Sequence, residues 1–231
     1  MAVHDLIMAA AGAGGGAGPS ELQFVTSAVS GVTTATQTFS SVSIGPAYTN
    51  RRFIVGFTCG ASTIRTISSA TFGGNAMTAL ASVPGVGVTA FYEISFPTGT
   101  TADIVFNLSS GSLTSEGFIA VYYIGRNSAV TVVDQQSGTS TATSKIASSL
   151  GTALNGSVLF AANQFNGTGG AATVSSISGL DATDASNSTS NTIRTFSTDL
   201  VTTGSASSYQ VTFSKSGSAV DKFLAMSITG P

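Results

Sequence analysis

Short apolar segments with a period of two residues run through most of this chain, and they constrain its fold more than any other feature. From Glu21 onward these segments are rich in β-branched and aromatic residues and are bounded by Gly, Asn, Ser or Pro. The pattern predicts β-strands. The clearest predicted strands are Arg52–Cys59, Val88–Ile94, Ala102–Leu108, Phe118–Ile124, Ser157–Ala162, Tyr209–Phe213 and Phe223–Ile228.

Turn residues separate these strands at short intervals, as in Pro97-Thr98-Gly99 and Asn155-Gly156. No stretch sustains a helical period with caps, so the sequence predicts an all-β sandwich or barrel. Two Ser/Thr-rich segments, Thr139–Ser149 and Asp181–Asn191, are interpreted as loops. Neither is long enough to separate two cores, and residues 21–231 are therefore predicted to form a single β-sandwich domain.

Residues 1–20 are predicted to form a flexible Ala/Gly-rich arm. Its segment 9–19 is built from Ala, Gly and Pro, a composition typical of linkers. This linker separates an apolar tip, with Leu6, Ile7 and Met8, from the body. Two interpretations are open: a disordered tail, or an arm whose tip contacts a neighbouring subunit.

The balance of charged residues excludes several classes of protein. The chain has 231 residues, with only eight Lys and Arg, ten acids and a net charge of −2. No basic stripe exists to neutralise phosphates, so no nucleic-acid partner is expected. No apolar run approaches the roughly 20 residues of a membrane span. The N-terminus lacks the basic region of a signal peptide, and we expect synthesis in the cytoplasm without processing.

Residues suited to catalysis are nearly missing. A Ser-His-Asp triad needs a base, and the one histidine, His4, lies in the arm. A glycosidase would need two paired carboxylates, for which Glu93, Asp103 and Glu116 are the candidates on or beside strands. Sugar clefts usually also carry exposed aromatic side chains, and the chain has no Trp. The sequence therefore predicts a protein that is not an enzyme.

Metal and cofactor motifs are equally weak. Asp181 and Asp184 could offer oxygens to Ca²⁺, but the acid-rich loop of a calcium site is missing. The glycines at 12–16 follow no strand and precede no Gly-Lys-Ser/Thr, as a phosphate loop requires. Cys59 falls in a predicted buried strand. No metal and no cofactor are expected.

Arg51 and Arg52 open a predicted strand directly after Asn50. Charged residues at a strand end commonly guard a sheet edge against wrong pairing. The alternative is a contact with another subunit, through an acid such as Asp134 or Asp5. Both arginines are therefore candidate subunit contacts, together with Leu6, Ile7 and Met8.

The first half of the chain resembles a jelly-roll or β-sandwich module of tailed-phage virion proteins. The segments that carry the resemblance are Phe39–Ala47, Asn50–Val55, Ile67–Thr78, Ala90–Glu93 and Phe96–Thr100. The similarity covers about residues 37–125, with a looser fit to Ser157–Ala162. Its motifs are strands and turns, so the resemblance implies a fold and carries no catalytic residues.

Together these observations predict a two-sheet, jelly-roll-like β-sandwich with an N-terminal arm. The resemblance implies a virion protein, and we expect a capsid decoration protein that binds the major capsid protein as a homo-oligomer, with a trimer favoured. The alternative is a tail or fibre module that binds a host receptor or glycan. Aromatic and amide residues available for that second role are Tyr48, Asn50, Tyr92, Tyr122 and Tyr123.

Overall fold

The computed structural model describes residues 22–109, 111, 113–140, 144–148, 150–151, 156–165, 168–175, 184–189, 192–200, 208–216 and 220–229. These residues form seventeen β-strands and no helix. The strands are β1 (Gln23–Val29), β2 (Thr36–Ser43), β3 (Arg51–Arg65), β4 (Ile67–Phe72), β5 (Asn75–Ala76), β6 (Thr78–Val83), β7 (Gly85–Ser95), β8 (Thr101–Leu108), β9 (Phe118–Gly125), β10 (Val132–Ser140), β11 (Ser144–Ser148), β12 (Ser157–Phe165), β13 (Thr168–Ser175), β14 (Ala185–Thr189), β15 (Thr192–Leu200), β16 (Ser208–Ser216) and β17 (Val220–Ile228). The predicted all-β fold is confirmed, and each predicted strand lies within an observed one.

The strands before residue 126 form a jelly roll. One sheet has the order β1-β9-β3-β7-β6 and the other has the order β2-β8-β4-β5, with antiparallel pairing throughout. The chain passes back and forth between the two sheets, as the Greek-key connections of a jelly roll require. We refer to Gln23–Gly125 as the first sandwich.

The strands after residue 131 repeat this order. Their sheets run β10-β17-β12-β15-β14 and β11-β16-β13, which matches the first sandwich strand for strand apart from β5. The position of a β5 counterpart falls in residues 176–183, outside the described residues. We refer to Val132–Ile228 as the second sandwich.

The described strands therefore form four sheets where the sequence predicted two. A period of two residues marks a strand without saying which sheet it joins, which is why the pattern could not count the sheets. The sandwich-like, all-β architecture itself is confirmed, whereas the single domain over residues 21–231 stays a prediction. The two segments interpreted as loops, Thr139–Ser149 and Asp181–Asn191, contain the edge strands β11 and β14. That interpretation was wrong, because backbone pairing holds these two strands in their sheets although they contain few apolar residues.

Stacked aromatic rings fill the core of the first sandwich. Phe57 of β3 stacks on Phe106 of β8 with ring centroids 4.2 Å apart, and Phe53 stacks on Phe72 of β4 at 4.9 Å. All four side chains are fully buried. Burying a side chain of this size stabilises a fold by about 1.5–3 kcal/mol, so these contacts hold the two sheets together.

A second apolar core joins the two sandwiches. It includes Ile54, Phe91 and Tyr122 from the first sandwich with Leu159 and Met226 from the second. The sheet β1-β9-β3-β7-β6 is therefore covered on both faces. Burial on both faces explains the nearly continuous apolar runs at β3 and β9, because a sheet with one wet face alternates apolar and polar residues.

Equivalent strands meet at the centre of this second core. The pairing registers align two triplets of laterally paired residues, Gly56–Phe91–Ala120 and Ala161–Phe196–Leu224. A Cβ at Gly56 would lie 2.8 Å from Cδ1 of Phe196 and 3.0 Å from Cε1 of Phe91. A side chain at this position would thus collide with the facing sheet, and a glycine is required.

Candidate interaction surfaces

Arg51 lies inside the first sandwich, where it ties two loops together. Its guanidinium is fully buried and packs 4.7 Å from the ring centroid of Phe53. It donates to the backbone carbonyls of Ile44, Gly45, Pro46, Phe96, Thr98 and Gly99. Burial lowers the pKa of the guanidinium from its usual value. With these donors engaged internally, a role for Arg51 in subunit contact would require both loops to open.

Arg52 holds the connector, residues 126–131, which links the two sandwiches. Its guanidinium forms an ion pair with Glu93 at 3.3 Å and donates to the carbonyl oxygen of Asn127 at 3.2 Å. The same Glu93 oxygen accepts the backbone N–H of Val130 at 2.9 Å. Arg126 reaches across to the carbonyl oxygen of Thr229 at 3.1 Å. These contacts fix residues 126–131, so Arg52 is placed at an internal joint.

Asp134, considered above as an acidic partner for these arginines, is engaged locally. Its carboxylate accepts the backbone N–H groups of Gln135 at 2.8 Å and Gly151 at 2.7 Å. The structure therefore does not bring Asp134 to Arg51 or Arg52 within one chain. Leu6, Ile7, Met8 and Asp5 lie outside the described residues, and their predicted contacts stay predictions.

Buried polar groups collect at one end of the interface between the sandwiches. Asn163 donates to the carbonyl oxygen of Cys59 at 2.8 Å, and Arg194 lies 5.5 Å from the ring centroid of Phe118. Burial lowers the pKa of Arg194 to about 10, with Glu116 acting in the opposite direction. This group was missed by the sequence analysis. The paired residues Thr58–Thr89 and Asn163–Arg194 occupy equivalent registers in the two sandwiches. Their identities differ, so a comparison of the two halves of the sequence would not reveal this group.

The tyrosines proposed for sugar binding do not form an exposed platform. Tyr92, Tyr122 and Tyr123 are buried, and Tyr48 is half-buried with its ring stacked on Tyr123 at 5.9 Å. Burial, followed by the interaction with Tyr48, raises the pKa of Tyr123 to about 12. The Tyr122 hydroxyl donates to Asp184 at 3.2 Å. The rings of these tyrosines therefore pack inside the protein and are not available to stack on a sugar.

Two of the three candidate carboxylates, Glu93 and Asp103, are kept apart. Glu93 faces the second sandwich and contacts the connector, whereas Asp103 is exposed on the outer face of the other sheet and accepts the backbone N–H of Ser41 at 2.7 Å. The first core lies between them. Asp184, considered for Ca²⁺, accepts hydrogen bonds from Tyr122 and Thr198. Among the described residues, no three His, Cys, Asp or Glu side chains are grouped as a metal site would need.

An apolar strip lies on the edge strand β1. Phe24, Ser27 and Val29 are exposed and pair with Tyr122, Ala120 and Phe118 of β9. Directly paired residues point to the same face of a sheet, and these three β9 residues belong to the core between the sandwiches. Phe24 packs edge-on against Tyr122, with centroids 5.7 Å apart. We call Phe24, Ser27 and Val29 the β1 strip. These side chains lie on the same face of the sheet as the core between the sandwiches, but at the edge of the sheet, where they are exposed to solvent.

Comparisons with known proteins add little to this geometry. No protein-family model matches the chain, and no curated protein matches it. Among solved structures, the chain is similar to the PBSX exported protein XepA, with 8% identity, 90% of this chain and 86% of that chain covered, and a TM-score of 0.24. A likeness at that TM-score carries no argument about function. No helix in the described part of the chain has the length and apolar character needed to cross a membrane.

Proposed function

We propose that this chain is a non-enzymatic structural protein of a tailed-phage particle, and that it decorates the capsid. In this role it binds the major capsid protein through its N-terminal arm and through sandwich edges, as a homo-oligomer for which a trimer is favoured. The role places the protein in the virion after synthesis in the host cytoplasm. It requires no metal, cofactor, nucleic acid or membrane.

The observation that carries the proposal is the β1 strip. Phe24 and Val29 are each 38% exposed on an edge strand, and Val32 in the following loop is 40% exposed. Clustered exposed apolar side chains commonly mark interaction sites. A net charge of −2 does little to oppose association. An edge of this kind, next to the arm, suits a protein that packs against other subunits.

The polar groups of the described residues support the same proposal. Glu93, Arg51 and Arg52 hold loops and the connector in place, as described above. A catalytic site needs titratable groups that converge on a reacting atom, and these groups converge on backbone atoms. The alternative, a receptor- or glycan-binding tail module, loses support because its tyrosines are buried or half-buried.

Copy number tests the proposal. Quantitative mass spectrometry of purified particles from the phage or lysogen that carries this gene would compare the chain with the major capsid protein. A decoration protein is expected in hundreds of copies per particle, a number of the order of its shell sites. A handful of copies would contradict decoration and favour a tail or fibre position, and complete absence from particles would reject a virion role.

A further inference from the structure

The residues of the β1 strip can be compared with those at the equivalent positions of β10 in the second sandwich. The pairing registers align Phe24 with Gln135, Ser27 with Ser137 and Val29 with Thr139, because their β9 and β17 partners pair with matching residues of β3 and β12. All six side chains are exposed. On β10 the three positions are polar, whereas on β1 two of the three are apolar.

This difference indicates that the β1 strip is covered by something. The same position of the fold is exposed in both sandwiches but carries polar residues in one and mainly apolar residues in the other. The fold itself therefore does not require Phe24 or Val29 to be apolar. The strip is also continuous with the core that joins the sandwiches. In addition β1 contains no charged residue and no Pro, the usual devices that keep an exposed edge from pairing, whereas β10 carries Asp134.

The chain itself supplies a suitable cover. The described residues begin at Leu22, one residue before β1, and the preceding chain carries an apolar cluster formed by Val3, Leu6, Ile7 and Met8. Residues 9–22 separate this cluster from β1. They can span about 45 Å when extended, whereas β1 is about 24 Å long. The tip can therefore fold back along the whole strip.

We propose that the N-terminal segment Val3–Met8 covers the β1 strip of its own chain in the free subunit. A tether of this length holds the tip at a local concentration in the millimolar range, well above that of a second copy in dilute solution. Contact of Leu6, Ile7 and Met8 with Phe24 and Val29 removes both apolar surfaces from water. The proposal concerns the free subunit and holds whether or not the protein is a virion component.

The test uses the full chain and the dye ANS, whose fluorescence rises on exposed apolar surface. The variant Leu6→Ser, Ile7→Ser, Met8→Ser removes the proposed cover. Its ANS emission is expected to rise by about twofold or more, and hydrogen exchange at the β1 amides is expected to speed up about tenfold. The matched control, Ala9→Ser, Ala10→Ser, Ala11→Ser, adds three serines to the same arm and should change neither signal.

A second pair of substitutions ties the signal to the strip. The double variant Phe24→Gln, Val29→Thr gives β1 the side chains found at the equivalent positions of β10. Adding these two substitutions to the triple variant of the tip should return ANS emission to the level of the original protein. Protection of β1 should also be independent of protein concentration. Unchanged ANS emission on loss of the tip would overturn the proposal. Protection that rises with concentration, together with a dimer by light scattering, would also overturn it by assigning the strip to a second copy.

Discussion

Phe91 and Phe196 occupy equivalent positions in the two sandwiches and meet edge to face, with ring centroids 6.1 Å apart. Each ring lies on the strand beside a small central residue, Gly56 for Phe91 and Ala161 for Phe196. The pair marks the centre of the interface between the sandwiches. Two jelly rolls of matching strand order are thus joined through matching faces.

Gly56→Ala is expected to destabilise the protein by about 1–3 kcal/mol, the cost of overpacking a well-filled core. The added methyl group would meet the ring of Phe196, so the sheets would have to separate. Urea unfolding of the two proteins gives the difference in free energy. Combining the change with Phe196→Leu should recover part of the loss, because the smaller side chain leaves room. An unchanged unfolding midpoint for Gly56→Ala would show that the sheets are not in close contact there.

Arg51→Lys is expected to cost about 2–3 kcal/mol of unfolding free energy, because an ammonium group cannot serve carbonyls in two loops and leaves buried acceptors unsatisfied. Arg52→Lys is the matched control at the adjacent position. Its side chain is partly exposed and a lysine at this position can remake the ion pair with Glu93, so the expected cost is clearly smaller than that of Arg51→Lys. Equal effects of the two changes on stability, or a loss of oligomerisation without any loss of stability for Arg51→Lys, would contradict the internal role of Arg51.

Glu93→Gln is expected to loosen the connector between the sandwiches. The change removes the ion pair with Arg52 and weakens the hydrogen bond from Val130, while side-chain volume is kept. Trypsin should then cut faster after Arg126, which is readily followed by gel electrophoresis. Asp103→Asn, an equivalent change on the outer face of the other sheet, should leave that cleavage rate unaltered. No difference between the two variants would reject the assignment of Glu93 to the connector.

Cys59 should make stability fall at alkaline pH. Burial raises the pKa of its thiol from 9.0 to about 12, so the folded protein keeps a proton that the unfolded chain releases. The stabilising effect is complete below pH 9 and is lost as the pH rises toward 12. Within this window the unfolding free energy should decline by about 1.4 kcal/mol per pH unit from this group. Cys59→Ala should show a shallower decline, and an identical slope would contradict the burial of the thiol.

Strand positions could be predicted from the sequence because they depend on local pattern. In β8, Ala102, Ile104, Phe106 and Leu108 are buried as the alternation indicates. Val105 is half-buried on the opposite face and pairs with two threonines, Thr38 and Thr71, so it breaks the alternation without lining the core. The jelly-roll order of the first sandwich also agrees with the resemblance seen in residues 37–125.

The duplication could not be predicted because it is conserved in strand order and not in residue identity. By strand register, Gly56 is equivalent to Ala161 and Ala120 is equivalent to Leu224. A comparison of residue identities would not align these positions. The burial of Arg51 was missed for a related reason. Its acceptors at Thr98 and Gly99 are remote in sequence, and a strand-initial arginine is ordinarily exposed.

The proposed function is tested most directly by locating the protein on the particle. Cryo-electron microscopy would compare particles that contain the chain with particles that lack its gene, and adding the purified full chain back would serve as the control. The account predicts difference density that repeats over the head shell, with two stacked β-sandwiches for each copy of the chain. Density confined to the tail or its fibres, or no difference at all, would contradict it.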